Sequence, residues 1–193
     1  MPTIARKAYL DGLVAALEPG RDLVVAGLGA NARYLPHMDV PTPCFALCDA
    51  MGAAIPLALG MALVRGDRRV VALEGDGSLM MNLGTLATVG AARPANLVIV
   101  VFRNRHYESS GGQRLPSVDV DFAAVARASR FEHAEDVPDA ERFPTALARA
   151  RASGGPALLV VETAFDPAEP IPPYSERPDE IRRNFARALA SGR

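Results

Sequence analysis

Glu74-Gly75-Asp76-Gly77-Ser78-Leu79-Met80-Met81-Asn82, taken together with Asn104-Arg105-His106-Tyr107, decides how this chain folds. Val70-Val71-Ala72-Leu73 precedes the first stretch and Leu97-Val98-Ile99-Val100-Val101-Phe102 the second. Unbroken apolar runs of this kind are strands of a parallel sheet covered on both faces. A helix expected over residues 83–92 joins them, so Asp76 and Asn104 mark the carboxyl ends of neighbouring βα units, 28 positions apart. Ligands of doubly wound sheets bind beyond those ends. A carboxylate and an amide oxygen suit magnesium, which shares hard oxygen ligands among protein, phosphate and water. Gly75 and Gly77 let the backbone approach closely or take positive φ, and a helix starting nearby offers unpaired N–H groups to an anion. Taken alone, Gly-Asp-Gly is also the composition of a tight turn. Asn104 at the end of the next strand is what points to a cation holding a diphosphate.

Working outward, strands are expected at residues 22–26, 44–48, 69–73, 97–102, 131–134 and 157–162. Helical spacing fills residues 4–18, 53–65, 83–92, 122–129, 141–152 and 179–190, the last after the Pro-rich connector 167–178. Alternating strands and helices predict an α/β fold: one three-layer domain over residues 1–193, with a six-stranded, mainly parallel sheet and helices on both faces. No repeat or long linker divides it. Residues 103–118 form a Ser/Gly-rich connection of 16 residues, and loops of that length are usually functional.

A second glycine motif competes with the first. Gly27-Leu28-Gly29-Ala30-Asn31-Ala32 follows a strand, and Asp49 lies 20 positions beyond Gly29, as in a nicotinamide dinucleotide fingerprint. That fingerprint needs a helix crossing back to the next strand. Pro36, Pro41 and Pro43 leave little room for one.

Composition excludes several classes. With 49% hydrophobic and 22% charged residues the chain is an ordinary globular one, not a disordered one. A net charge of −1 and the absence of a basic stripe give no footprint for nucleic acid. No apolar run approaches the roughly 18 to 20 residues that span a bilayer, and residues 1–7 lack a signal-peptide core, so no membrane association and a cytoplasmic location are expected. Cys44 and Cys48, four residues apart on an expected strand, would be roughly 13 Å apart, too far for a disulfide. They are read as reduced and structural.

The Gly75-Asp76-Gly77-Ser78 motif with Asn104-x-x-Tyr107 resembles the cofactor signature of thiamine diphosphate enzymes. Asn104 followed by Glu108-Ser109-Ser110-Gly111-Gly112-Gln113, and Gly29-Ala30-Asn31-Ala32-Arg33-Tyr34-Leu35, are similar to loops of phosphonopyruvate and sulfopyruvate decarboxylases. Asp49-Ala50-Met51-Gly52 resembles the segment that holds the aminopyrimidine and thiazolium. The resemblance implies that Asp76, Asn104 and the His106 carbonyl bind magnesium. It implies that Gly75, Gly77 and Ser78 face the diphosphate, with Tyr107 in the same motif and Gly29 and Asn31 in the first loop. Met51 would lie beneath the bent cofactor, its N–H and the Asp49 carbonyl reaching the pyrimidine. Many relatives carry Asn or Asp before the metal-binding Asn, where this chain has Arg103.

Such enzymes decarboxylate a 2-oxo acid, using the cofactor as an electron sink. Their activating glutamate lies on a pyrimidine-binding domain, and none of Glu18, Glu74, Glu108 or Glu162 matches its context. The resemblance therefore implies a partner: an α-type subunit supplying that glutamate to this β-type chain, in a hetero-oligomer such as α2β2 or larger. Arg33, Arg103, Arg105 and Arg114 are candidates for a second substrate anion, as in sulfopyruvate or phosphonopyruvate. A carboligating thiamine enzyme, or a dinucleotide module, would be the other readings. No catalytic residue is assigned.

Overall fold

The computed structural model describes residues 6–116 and 119–191. Six strands form one sheet: β1 (Asp22–Ala26), β2 (Cys44–Ala46), β3 (Arg69–Gly75), β4 (Leu97–Arg103), β7 (His133–Val137) and β8 (Ala157–Glu162). Their order is β2-β1-β3-β4-β8-β7, and every pairing is parallel. Two further strands, β5 (His106–Tyr107) and β6 (Gln113–Arg114), make a separate antiparallel hairpin.

Alternation along the strands divides the core in two. Val24, Ala26, Val71, Leu73 and Val100 face one side, packed by Tyr9, Leu10 and Leu13 of α1 (Arg6–Ala16) and by Phe143 and Leu147 of α7 (Phe143–Ala152). Ile181 of α8 (Pro178–Ala190) joins that face, and Phe185 of the same helix meets Phe45 edge-on at 5.4 Å. Leu23, Val25, Val70, Ala72 and Ile99 face the other side, under α3 (Ala54–Val64), α5 (Thr85–Ala92) and α6 (Phe122–Ala128). Each fully buried Val, Leu or Ile contributes roughly 1.5–3 kcal/mol. The central strands are therefore the most strongly held part of the molecule.

The chain departs from the sequence expectation at four places, each for a tertiary reason. β2 ends at Ala46 rather than residue 48, because the backbone turns there toward Tyr174, whose hydroxyl donates to the Cys48 carbonyl at 2.7 Å. β7 starts at His133, not residue 131, since Phe131 is buried in the second core instead. Helix begins earlier than residue 83: α4 (Asp76–Met81) starts at the Gly-Asp-Gly motif, breaks at Asn82, and α5 resumes at Thr85. Connection 103–116 is not structureless, as it holds the β5/β6 hairpin, closed by Gly112 at φ 71°. The end of that expected loop, Ser117 and Val118, lies outside the described residues.

β1 leads outward to β2 on one side, whereas β3 lies on its other side. Strand order reverses at that point, and the crevice beyond the carboxyl ends there is where such sheets bind ligands.

Candidate active site

Register brings the two halves of the motif together. Gly75 pairs with Phe102 at the ends of β3 and β4, so Asp76 and Asn104 leave the sheet side by side. Asp76 opens α4 and is 2% exposed. Its Oδ1 accepts from the Gly77 N–H at 2.9 Å and its Oδ2 from the Arg105 N–H at 2.7 Å. Burial pushes its carboxyl above the ordinary range, against those N–H groups. A desolvated carboxylate with lone pairs remaining on both oxygens is chemically poised for a cation.

Arg105 adopts φ 63°, a left-handed conformation uncommon for a residue with a side chain. This twist directs its own N–H to Asp76 and the His106 N–H to Asn104 Oδ1, 2.8 Å away. The Leu115 N–H bonds the Arg105 carbonyl at 2.9 Å, so ladder alternation leaves the His106 pair off the hairpin's hydrogen bonds. The His106 carbonyl is thereby free of the ladder. Its ring stacks on Phe165 with centroids 4.4 Å apart, and Nδ1 lies 2.7 Å from the Asn104 carbonyl.

Asp76, Asn104 and His106 line a partly enclosed cleft. Gly75, Asp76, Gly77 and Ser78 form one wall, Asn104, His106 and Tyr107 a second, and Gly29, Asn31 and Met51 a third. Gly29, at φ 87°, gives its N–H to the Tyr174 hydroxyl at 3.2 Å. Asn31 Oδ1 is buried without a partner among the described residues. Ser78 Oγ accepts from the Gly52 N–H at 2.7 Å and Asn82 Nδ2 donates to the Gly52 carbonyl at 2.9 Å, pinning the Met51 turn to α4. Asp49 lies apart, exposed beside Cys48 and Tyr174 in a neighbouring hollow.

One cleft residue has no signal in the sequence. Arg6 of α1 is 4% exposed and donates to Glu108 Oε2 at 2.5 Å and Glu169 Oε2 at 2.8 Å. Only folding brings positions 6, 108 and 169 together. Glu74, directly beneath the motif, is 1% exposed; burial pushes its carboxyl up to about 7, against hydrogen bonds from Ser78, Gly75 and Ala54.

The family model for the thiamine pyrophosphate enzyme C-terminal TPP binding domain matches residues 29–161. The chain belongs to this family. Phosphonopyruvate decarboxylase of Streptomyces hygroscopicus is 37% identical over 180 residues, 93% of this TPP-binding chain but 44% of that protein. The chain thus spans under half the length of that relative. Sulfopyruvate decarboxylase subunit beta of Methanococcus maripaludis is 28% identical over 87% of the chain and 89% of its own length. Among solved structures, a candidate thiamin diphosphate-dependent enzyme from Mycobacterium smegmatis superposes with a TM-score of 0.69 at 26% identity, covering 86% of this chain and 32% of that one.

The residues present fit the family's cofactor and cation. A hard-oxygen donor pair, a carbonyl left free by the hairpin and an orphaned Asn31 oxygen converge on one cleft. Among the described residues no group of three or more His, Cys, Asp or Glu side chains is placed to hold a metal ion. The crossover after Gly29 holds only the five-residue α2 (Ala30–Tyr34) and a 3-10 turn containing Pro36, short of the helix a dinucleotide fingerprint requires. No helix among the described residues is long and apolar enough to cross a membrane.

Of the four candidate arginines, three are engaged. Arg33 donates to the Pro172 and Ile171 carbonyls, while Arg103 and Arg105 both bind Glu162. Arg114 is exposed on β6. Cys44 and Cys48 are free thiols, both pushed above their usual range by burial.

Proposed function

We propose that this chain is the β-type subunit of a thiamine diphosphate- and magnesium-dependent 2-oxo acid decarboxylase of the sulfopyruvate decarboxylase type. One observation carries the reading: Asp76 and Asn104 emerge together from paired strands, locked by the Arg105 and His106 N–H groups. Asp76, Asn104 and the His106 carbonyl would hold the cation, Gly77 and Ser78 the diphosphate, and Met51 the bend between the rings. Bound thiamine diphosphate supplies an electron sink for the carbanion left when a 2-oxo acid loses carbon dioxide. The chain's own part is to bind, orient and keep water out. Phe102 of β4 and His106 and Tyr107 of the hairpin line one side.

A partner follows from what the cleft lacks. The glutamate that lines it, Glu108, is clamped by Arg6 through Oε2. Likeness to relatives named as beta subunits also favours a pyrimidine-binding α-type partner. A phosphonopyruvate-type substrate is the second reading, favoured by 37% identity across 93% of the chain.

Thermal melts test the first half. Thiamine diphosphate with magnesium at about 100 times Kd adds roughly 2.7 kcal/mol, or about 5–10 °C in Tm for a chain of this size. Asp76→Ala is expected to abolish that shift, and NAD to give none. Stabilisation by NAD alone would contradict the reading. Carbon dioxide release from sulfopyruvate, phosphonopyruvate and pyruvate, with and without the co-purified partner, tests the second half; full activity of the lone chain sinks the split site.

A further inference from the structure

Asn104 can ligate a cation only with its amide oxygen, and an amide presents oxygen or nitrogen according to its neighbours. Here both ends are fixed. Oδ1 accepts from the His106 N–H at 2.8 Å, and Nδ2 donates to Glu108 Oε2 at 3.2 Å. That same Glu108 oxygen accepts from Arg6 at 2.5 Å, and Arg6 is itself held by Glu169, whose other oxygen accepts from the Tyr34 hydroxyl at 2.9 Å. The chain of contacts runs from α2 and the C-terminal connector through α1 to the metal-binding amide. Glu108's second oxygen, Oε1, is buried without a partner among the described residues, and Glu108 lines the cleft.

An orphaned carboxylate oxygen calls for a donor. Diphosphate is an acceptor and cannot satisfy it. Magnesium keeps one or more of its waters, and a bound water is a strong donor whose hydrogens need acceptors of this kind.

We propose that Glu108, clamped by Arg6, is the positioning residue of the metal site: Oε2 fixes the face that Asn104 presents, and Oε1 accepts from a water on the cation. The inference rests on the reading that Asp76 and Asn104 hold that cation. Glu108 also supplies the support that, in many relatives, an Asn or Asp before the metal-binding residue would give; Arg103 occupies that place here and turns away to Glu162 and Asp136.

The test compares two cations on the full chain with its co-purified partner. Thiamine diphosphate is present, and Mg2+ and Ca2+ each compete against the EPR signal of bound Mn2+. Magnesium demands near-ideal octahedral geometry and ordered water, whereas calcium tolerates irregular sites. Glu108→Ala is therefore expected to weaken Mg2+ and Mn2+ by about tenfold or more, while Ca2+ changes by no more than about twofold. Glu108→Gln, which can still accept from Asn104, recovers part of the loss and carries the comparison if the alanine variant does not fold. Arg6→Lys, which cannot fork to two carboxylates, is expected to fall between native and Glu108→Ala. Equal losses for both cations, or unchanged Mg2+ affinity, overturn the positioning role while leaving the Asp76 site standing. If Asp76→Ala binds Mn2+ as the native protein does, the site reading fails and this inference with it.

Discussion

Arg105 shows how much one residue can do by adopting an unfavourable conformation. Its φ of 63° costs on the order of 1 kcal/mol, offset by its N–H on Asp76 and its guanidinium on Glu162 at 2.8 Å. Burial alone would raise the Glu162 carboxyl; hydrogen bonds from Arg105 and Arg103 overcome that and hold it below its ordinary 4.5. The unfolded chain binds that proton more readily than the folded one, so the stabilisation is present above pH 4.5 and is lost as pH falls through the lowered folded value. Urea melts should show Glu162→Gln less stable than native at pH 7, with the gap closing below pH 4.5. A gap that persists in acid would contradict this. Gly27 makes a second residue-scale prediction. A Cβ there would lie 2.4 Å from Glu74 Oε1 and 2.9 Å from the Leu73 carbonyl. Gly27→Ala should therefore cost about 1–3 kcal/mol in denaturant melts; a neutral result would mean β1 can shift. The sequence shows Gly27 as part of a glycine motif, but its neighbour across the sheet is visible only in the fold.

At the scale of elements, legibility followed the source of the signal. β1, β3, β4 and β8 were readable because each is an apolar run buried on both faces, a property of the run itself. The break between α4 and α5 was not, since Asn82 leaves helical geometry to bond the Gly52 carbonyl, 30 positions away. β5 and β6 were equally hidden, two residues each and anchored by the Arg105 carbonyl and the Asn104 turn. The candidate site divides the same way. Asp76, Asn104 and the glycines follow from motif and spacing, whereas Arg6 looks like any helical arginine until α1 docks against the connector. Helix docking also gives a sharp test: a Cβ on Gly90 of α5 would sit 1.5 Å from the Ser129 carbonyl at the end of α6. Gly90→Ala gains helix propensity yet should destabilise by about 3 kcal/mol or more, because backbone must move. Equal or higher stability would show that α5 and α6 are not packed this closely.

For the whole molecule, the sheet places its reversal of strand order between β1 and β3 and gathers the Gly29, Met51, Asp76 and Asn104 segments there. α3, with no charged residue from Ala54 to Val64, leaves Leu63 58% and Val64 77% exposed. A helix apolar on all sides is one that is covered in its working state, which accords with the proposed partner. Leu63→Arg with Val64→Arg should leave the melting of the lone chain nearly unchanged but lower the mass of the complex in light scattering; an unchanged mass would place the partner elsewhere. The proposed function rests on a single divalent cation between Asp76 and Asn104. Crystals grown with thiamine diphosphate and Mn2+ should show one anomalous peak bridging the Asp76 carboxylate and the Asn104 amide oxygen, with the diphosphate alongside. A peak at any other place, or an ordered diphosphate with no metal beside Asp76, would contradict the account.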